Sequence, residues 1–226
     1  MLSEGLESLV AESVLYTDQL KSESPIKIGF KLTDTGEESS IRVHEQLTVL
    51  PNTSEAVCLI TMKSSTFKSI LEGEADFAAL IGRSRMSDRR PINLKVHDQA
   101  RFDEVFETVK ALMTVFFLPG RIKSKKLSRE FAGSAHGAHP IPLVYWERLR
   151  YAWYHVSSGE VLNIEGEKDP YPQAILALKG EGKLELDAFP MDMELNRIYY
   201  IPPNSIHRVH AITDIELIWM AWNTTK

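Results

Sequence analysis

Ala174-Ile175-Leu176-Ala177-Leu178-Lys179-Gly180-Glu181-Gly182-Lys183-Leu184-Glu185-Leu186 decides how the second half of this chain folds. An apolar run meets a glycine-bracketed turn. It returns as Lys183-Leu184-Glu185-Leu186, where charged and apolar residues alternate with the period of a half-buried strand. The reading is a hairpin turning at Gly180-Glu181-Gly182. Upstream, Tyr151-Ala152-Trp153-Tyr154-His155-Val156 is aromatic and β-prone, and Ser158-Gly159 turns the chain. Downstream, Arg197-Ile198-Tyr199-Tyr200-Ile201 is another strand. Pro202-Pro203-Asn204-Ser205 leads into Ile206 to Ala211, and Glu216 to Trp222 closes the chain. Short strands at close spacing with Gly and Pro turns predict a sandwich or barrel.

The first half reads differently. Leu6, Leu9, Val10, Val14 and Leu20 recur near helical spacing, which predicts an amphipathic helix over 4–20 that Pro25 stops. Ile26, Ile28, Phe30 and Leu32 alternate as a strand. Ile41 to Leu50 and Ala56 to Met62 are two more, and the three fit an antiparallel meander. Ser64 or Ser65 caps a helix over Phe67, Ile70 and Leu71. Phe77, Leu80 and Ile81 mark a short helix, and Ile92, Leu94 and Val96 a strand. Phe102, Val105, Phe106, Val109, Leu112 and Met113 mark a last amphipathic helix.

The 226 residues are 43% hydrophobic and 25% charged, as in folded globular proteins. A net charge of −5 excludes a generally basic, nucleic-acid-coating protein. All of that balance lies in residues 1–120, and residues 121–226 are neutral. Between them, Arg121-Ile122-Lys123-Ser124-Lys125-Lys126-Leu127-Ser128-Arg129-Glu130 carries five positive charges and one negative, following Pro119-Gly120. It reads as a solvated domain connection, or else as a patch for anionic head groups or nucleic acid. The expected organisation is therefore an α+β domain over 1–120, a basic linker and connection over 121–144, and an all-β barrel over 145–226. With Cys58 as its one cysteine, the chain forms no internal disulfide and no cysteine-based cluster. The N-terminus lacks a signal-peptide pattern, and no apolar run approaches the roughly 20 residues of a membrane span. A cytoplasmic setting is expected. Nucleotide-loop and nucleophile-elbow motifs are missing, and Cys58, inside a strand, reads as an inert thiol.

The second half resembles the cupin family over roughly residues 145–223. Gly180 fits the closing glycine of the family's first motif, and counting back puts Gln173 at its Glu and Asp169 and Glu167 at its two His. Pro202, Asn204, His207 and Ala211 fall on the second motif, with Asn for Gly and Ala for the last Asn. The resemblance implies a small barrel and a metal held by Glu167, Asp169, Gln173 and His207. Residues at i and i+2 on a strand share a face, so Glu167 and Asp169 would converge. Three oxygen donors and one imidazole suit a hard ion such as manganese or magnesium, with iron or zinc as the family's other choices. Asp169-Pro170 and Tyr171-Pro172 interrupt any such strand. The competing reading is a barrel that kept its fold and lost its metal. His136-Gly137-Ala138-His139-Pro140 offers a second histidine pair in a loop, without a third partner, and His155 and His210 remain unassigned.

The first half resembles the sterol carrier protein type 2 family. The resemblance rests on the order helix, strands, small helix, strand, long helix, and on the segment Ser65-Thr66-Phe67-Lys68-Ser69-Ile70-Leu71-Glu72-Gly73-Glu74-Ala75-Asp76-Phe77-Ala78-Ala79-Leu80-Ile81-Gly82-Arg83. It implies an apolar tunnel for a fatty or sterol-like molecule. The same phenylalanines serve equally well as ordinary core. The leading expectation is a non-catalytic protein that binds an apolar ligand in its first domain, with a degenerate cupin that binds a small molecule or forms a homodimer. Trp146, Trp153, Trp219, Met220 and Trp222 supply aromatic surface for a core or an interface. The alternative is a metalloenzyme of isomerase, lyase or dioxygenase type built on His207. A ligand-sensing regulatory module is the third reading.

Overall fold

The alternation of Ile26, Ile28, Phe30 and Leu32 becomes strand β1 (Ile26–Leu32), whose inner side chains are fully buried. The computed structural model describes residues 1–85, 87–146 and 148–223. They form two units, Met1–Ile81 with Arg89–Lys125, and Gly82–Asp88 with Lys126–Lys226.

In the first unit β1 is the central strand of a five-stranded sheet of order β3-β2-β1-β4-β5, with β2 (Glu38–Val43), β3 (Leu47–Leu50), β4 (Cys58–Met62) and β5 (Asn93–Val96). The expected meander is not formed. β4 runs parallel to β1, with Ile28 opposite Cys58 and Leu32 opposite Met62. Alternation records which face a residue occupies and carries no information on neighbour or direction. The expected strand over 41–50 folds back on itself at 44–46 to give β2 and β3.

The helices differ from expectation where side chains engage the backbone. Helix α1 (Leu2–Glu12) ends because the Ser13 hydroxyl donates to the Leu9 carbonyl at 2.7 Å. A 3-10 turn over Val14–Tyr16 separates it from α2 (Thr17–Leu20), and Val14 is exposed. Helix α3 (Ser64–Leu71) is not capped by its own serines. The N–H and hydroxyl of Ser64 donate to Asp34 at 2.8 and 2.5 Å, which holds that carboxyl below its usual range. After α4 (Phe77–Ile81), helix α5 (Phe102–Ala111) widens into a π-turn over Leu112–Phe116, where the Thr114 hydroxyl donates to the Lys110 and Ala111 carbonyls. Phe77 and Phe117 stack at 3.8 Å, and Phe30 and Phe116 meet Phe117 edge-on.

Two cations of the basic run are engaged by the fold. Lys125 pairs with Asp76 at 2.8 Å with both side chains under a tenth exposed, and Lys123 donates to the Leu118 carbonyl. The second carboxylate oxygen of Asp76 accepts from the Ala79 N–H at the start of α4.

The second unit is all antiparallel β. Its strands are β6 (His139–Trp146), β7 (Leu149–Val156), β8 (Val161–Leu162), β9 (Gln173–Lys179), β10 (Gly182–Leu186), β11 (Phe189–Asp192), β12 (Ile198–Ile201), β13 (His207–Ala211) and β14 (Ile215–Trp222). β6 begins inside the stretch read from the sequence as connection. The strands make two open sheets, β12-β9-β14-β7-β6 and β11-β10-β13-β8, in place of one closed barrel. Tyr154, Val156, Ile175 and Leu217 from one sheet and Leu162, Leu184 and Val209 from the other share one core.

The expected hairpin at Gly180-Glu181-Gly182 is instead a corner between sheets, because β9 and β10 belong to different ones. Gly180 has φ +88°, and a Cβ there would lie 2.1 Å from the Asp214 carbonyl oxygen. Only glycine lets the two chain segments approach so closely. Gly180→Ala should therefore destabilise the second unit by more than about 4 kcal/mol, the range of severe backbone clashes. Gly159→Ala, at φ +83° with open space around it, should cost about 1–2 kcal/mol. Urea unfolding followed by tryptophan fluorescence compares the two, and equal effects would show that the corner is not tightly packed.

Candidate functional site

Between the two sheets of the second unit lies a cavity of about 110 Å³, lined by His136, Tyr154, Leu162, Asn163, Glu167, Lys168, Asp169, Gln173, His207 and Trp219. Strand periodicity places half of the wall. Tyr154 on β7, Gln173 on β9 and Trp219 on β14 share the inner face of one sheet, and Trp219 sits diagonally across the ladder from Gln173. His207 opens β13 and points inward with Val209 and Ala211.

Residues 163–172 form the mouth as a loop, not as the strand on which Glu167 and Asp169 were expected to converge. Asn163 organises it from the left-handed backbone region at φ +57°, which asparagine tolerates. Its amide nitrogen donates to the carbonyls of Glu167 (3.0 Å) and His207 (2.8 Å), and its oxygen accepts from the Glu167 N–H (2.9 Å). His136 Nδ1 lies 3.1 Å from Glu167 Oε2, and Asp169 Oδ1 accepts from the Tyr171 N–H at 3.0 Å. Lys168 is exposed at the rim.

Two buried polar atoms in this wall have no partner. Gln173 is 1% exposed and His207 7% exposed. The indole N–H of Trp219, which can only donate, reaches Gln173 Oε1 at 2.6 Å. That bond orients the amide and leaves Gln173 Nε2 unpaired, as is His207 Nδ1. Burial pushes the His207 pKa down, against Asp169 and the Ser205 backbone, which raise it, and with His136, which lowers it further. The ring is neutral at pH 7. Burial, with Tyr145 and Glu167, pushes the Tyr154 phenol well up, so it keeps its proton.

The four expected metal ligands line one cavity, each with other contacts there. The Gln173 oxygen is engaged by Trp219, and an amide NH2 has no lone pair to give. Glu167 faces His136, and Asp169 holds the Tyr171 backbone. Among the described residues no three His, Cys, Asp or Glu side chains gather as a metal set. The other histidines are engaged separately. His139 sits between the Gly133 carbonyl (3.2 Å) and Glu160 (3.0 Å), so it does not join His136. His155 lies near Asp214, and His210 against Glu185. Cys58 is buried, its thiol pushed up to about 12 by burial alone.

Solved structures similar to part of the chain can be set beside this geometry. The likeness is to cupins. A cupin 2 conserved barrel domain protein from Salinispora arenicola CNS-205 is 18% identical over 46% of this chain and 90% of its own, with a TM-score of 0.41. An RmlC-like cupin from Shewanella frigidimarina NCIMB 400 is 16% identical over 40% and 80%, with a TM-score of 0.35. A protein from Thermotoga maritima described as a predicted oxalate decarboxylase is 14% identical over 38% and 79%, with a TM-score of 0.35. No family model and no curated protein matches the chain. No helix among the described residues is long and apolar enough to cross a membrane.

Sequence reading reached Glu167, Asp169, Gln173 and His207 through the cupin resemblance. It missed Asn163 and Tyr154, and it took Trp219 for core or interface. A local signal existed only for Asn163, which opens the turn Asn163-Ile164-Glu165-Gly166. Asn163→Ala should lower the stability of the second unit by about 2–4 kcal/mol, since it removes the side-chain donor to the buried His207 carbonyl and the part-buried Glu167 carbonyl and puts alanine at positive φ. Chemical denaturation checks this, and a loss under about 0.5 kcal/mol would mean the loop is held by other contacts. The pH dependence has a definite sign. A buried histidine with a depressed pKa contributes stability above about pH 6.5, which is lost as pH falls through its folded-state pKa. The midpoint of wild type should therefore fall more than that of His207→Asn between pH 7 and pH 5. Parallel curves would show that His207 ionises without cost.

Proposed function

We propose that the second unit binds a small polar molecule in the cavity between Gln173 and His207, and that it does so without a metal. The observation that carries this reading is one cavity lined by two almost fully buried polar side chains, Gln173 on one sheet and His207 on the other, each with an atom that has no hydrogen-bond partner. Burying a polar group without a partner costs about 1–3 kcal/mol, and a ligand that pairs both groups recovers that cost. The degenerate motif positions support the same reading, because Gln173 stands where the family's carboxylate ligand would be. The ligand is placed here and not in the first unit, where the phenylalanines that could line an apolar tunnel pack ring on ring.

The test is a fragment screen on ¹⁵N-labelled full chain, read at the tryptophan indole N–H signals. Fragments that bind should shift the Trp219 indole signal, identified by its loss in Trp219→Phe, and His207→Asn should weaken them. Equilibrium dialysis against manganese, iron(II) and zinc runs in parallel. Stoichiometric metal retention that His207→Ala abolishes would replace this reading with the metalloenzyme one.

A further inference from the structure

We infer that the mouth of this cavity is completed by Gly82–Asp88, a stretch of the first half of the chain, and that Ser84 and Arg85 are positioning residues for the loop that carries Glu167 and Asp169. The bearing on ligand binding rests on the proposed role of the cavity, and the bearing on the loop does not.

Gly82–Asp88 belongs to the second unit, although the residues on either side of it, Ile81 and Arg89, belong to the first. Its turn is closed from within. The Asp88 carboxylate accepts from the N–H groups of Ser84 (3.2 Å) and Arg85 (3.1 Å), and the Asp88 N–H donates to the Arg85 carbonyl (3.0 Å). Two side chains then reach outward. The Ser84 hydroxyl oxygen accepts from the His136 N–H at 2.5 Å, and the Arg85 guanidinium meets the Glu165 carboxylate at 2.9 Å. His136 carries the connection onward. Its carbonyl accepts from the Asn163 N–H at 2.7 Å, and its ring faces Glu167. The contacts close a circuit: Ser84 to His136, His136 to Asn163, along the loop to Glu165, and back through Arg85. His136, Asn163 and Glu167 line the cavity, so part of its wall lies on or beside that circuit.

His136 sits at φ +55°, a conformation that a non-glycine residue keeps only where its surroundings hold it. Here both of its backbone groups are engaged, one by Ser84 and one by the mouth loop. The two links from the stretch differ in weight. An ion pair between side chains that are both 59% exposed holds little and is screened by salt. The bond from the His136 N–H is part-buried and acts on backbone, so Ser84 carries the larger share.

Native-state hydrogen exchange of the full chain across a urea series tests this. In the wild type, the amides of Ser84, Arg85, His136 and Asn163 should open together, with one common dependence on urea. Ser84→Ala should speed exchange at His136 and Asn163 about fivefold, the worth of one ordinary hydrogen bond. Ser84→Thr keeps the hydroxyl and should restore the wild-type rate. Arg85→Ala should speed exchange at Asn163 about twofold in dilute buffer and not at all in about 1 M salt. Lys179→Ala removes another exposed ion pair of the same unit and should change neither amide. Fragments that shift the Trp219 indole signal should bind Ser84→Ala more weakly than wild type. Ser84 and Arg85 amides that open with the sheet of the first unit would overturn the inference, and this wild-type result decides even if Ser84→Ala does not fold. Equal acceleration by Ser84→Ala and Lys179→Ala would overturn it too, as would fragments that bind Ser84→Ala as tightly as wild type. A fragment screen without hits would overturn the binding reading alone, because exchange needs no ligand.

Discussion

An indole N–H donates and does nothing else, and the candidate site depends on that constraint. Because Trp219 reaches Gln173 Oε1, the amide of Gln173 has one possible orientation, and its NH2 is the group left without a partner. The same bond takes one of the two lone pairs of the amide oxygen, and the nitrogen has none to offer.

The surroundings of the pocket are built to hold that arrangement still. Asn163 closes the mouth loop on itself with two hydrogen bonds to Glu167 and ties it to the first residue of β13 with a third, so the loop carrying Glu167 and Asp169 and the strand carrying His207 share a fixed reference. Gly180 lets β9 cross from one sheet toward the other without a clash against Asp214. A rigid pocket loses little entropy when a small ligand binds, which matters most for ligands with few atoms to contribute.

The first unit uses long-range polar contacts where the sequence suggests local ones. Asp34 caps a helix thirty residues away, and Asp76 both caps α4 and neutralises Lys125. A buried Lys–Asp pair adds little net stability over apolar packing but is costly to break from one side. It anchors the end of the unit at the point where a composition-based reading places a solvated linker.

The sequence by itself determined most of what depends on neighbours in the chain. Alternation in Ile26 to Leu32 and Lys183 to Leu186 marked strands, the 3.6-residue spacing of Val105, Val109 and Leu112 marked a helix, and Gly and Pro marked corners. These are local signals, because backbone geometry sets which residues share a face. Motif positions also brought Gln173 and His207 to attention. What only the tertiary structure decided was pairing. It showed that β4 lies parallel to β1, that β9 and β10 part into different sheets, that Ser13 ends a helix, and that Trp219 turns the amide of Gln173. Each of these joins groups whose meeting depends on the path of the chain in space, and hydrogen bonds of that range leave no periodicity in the sequence.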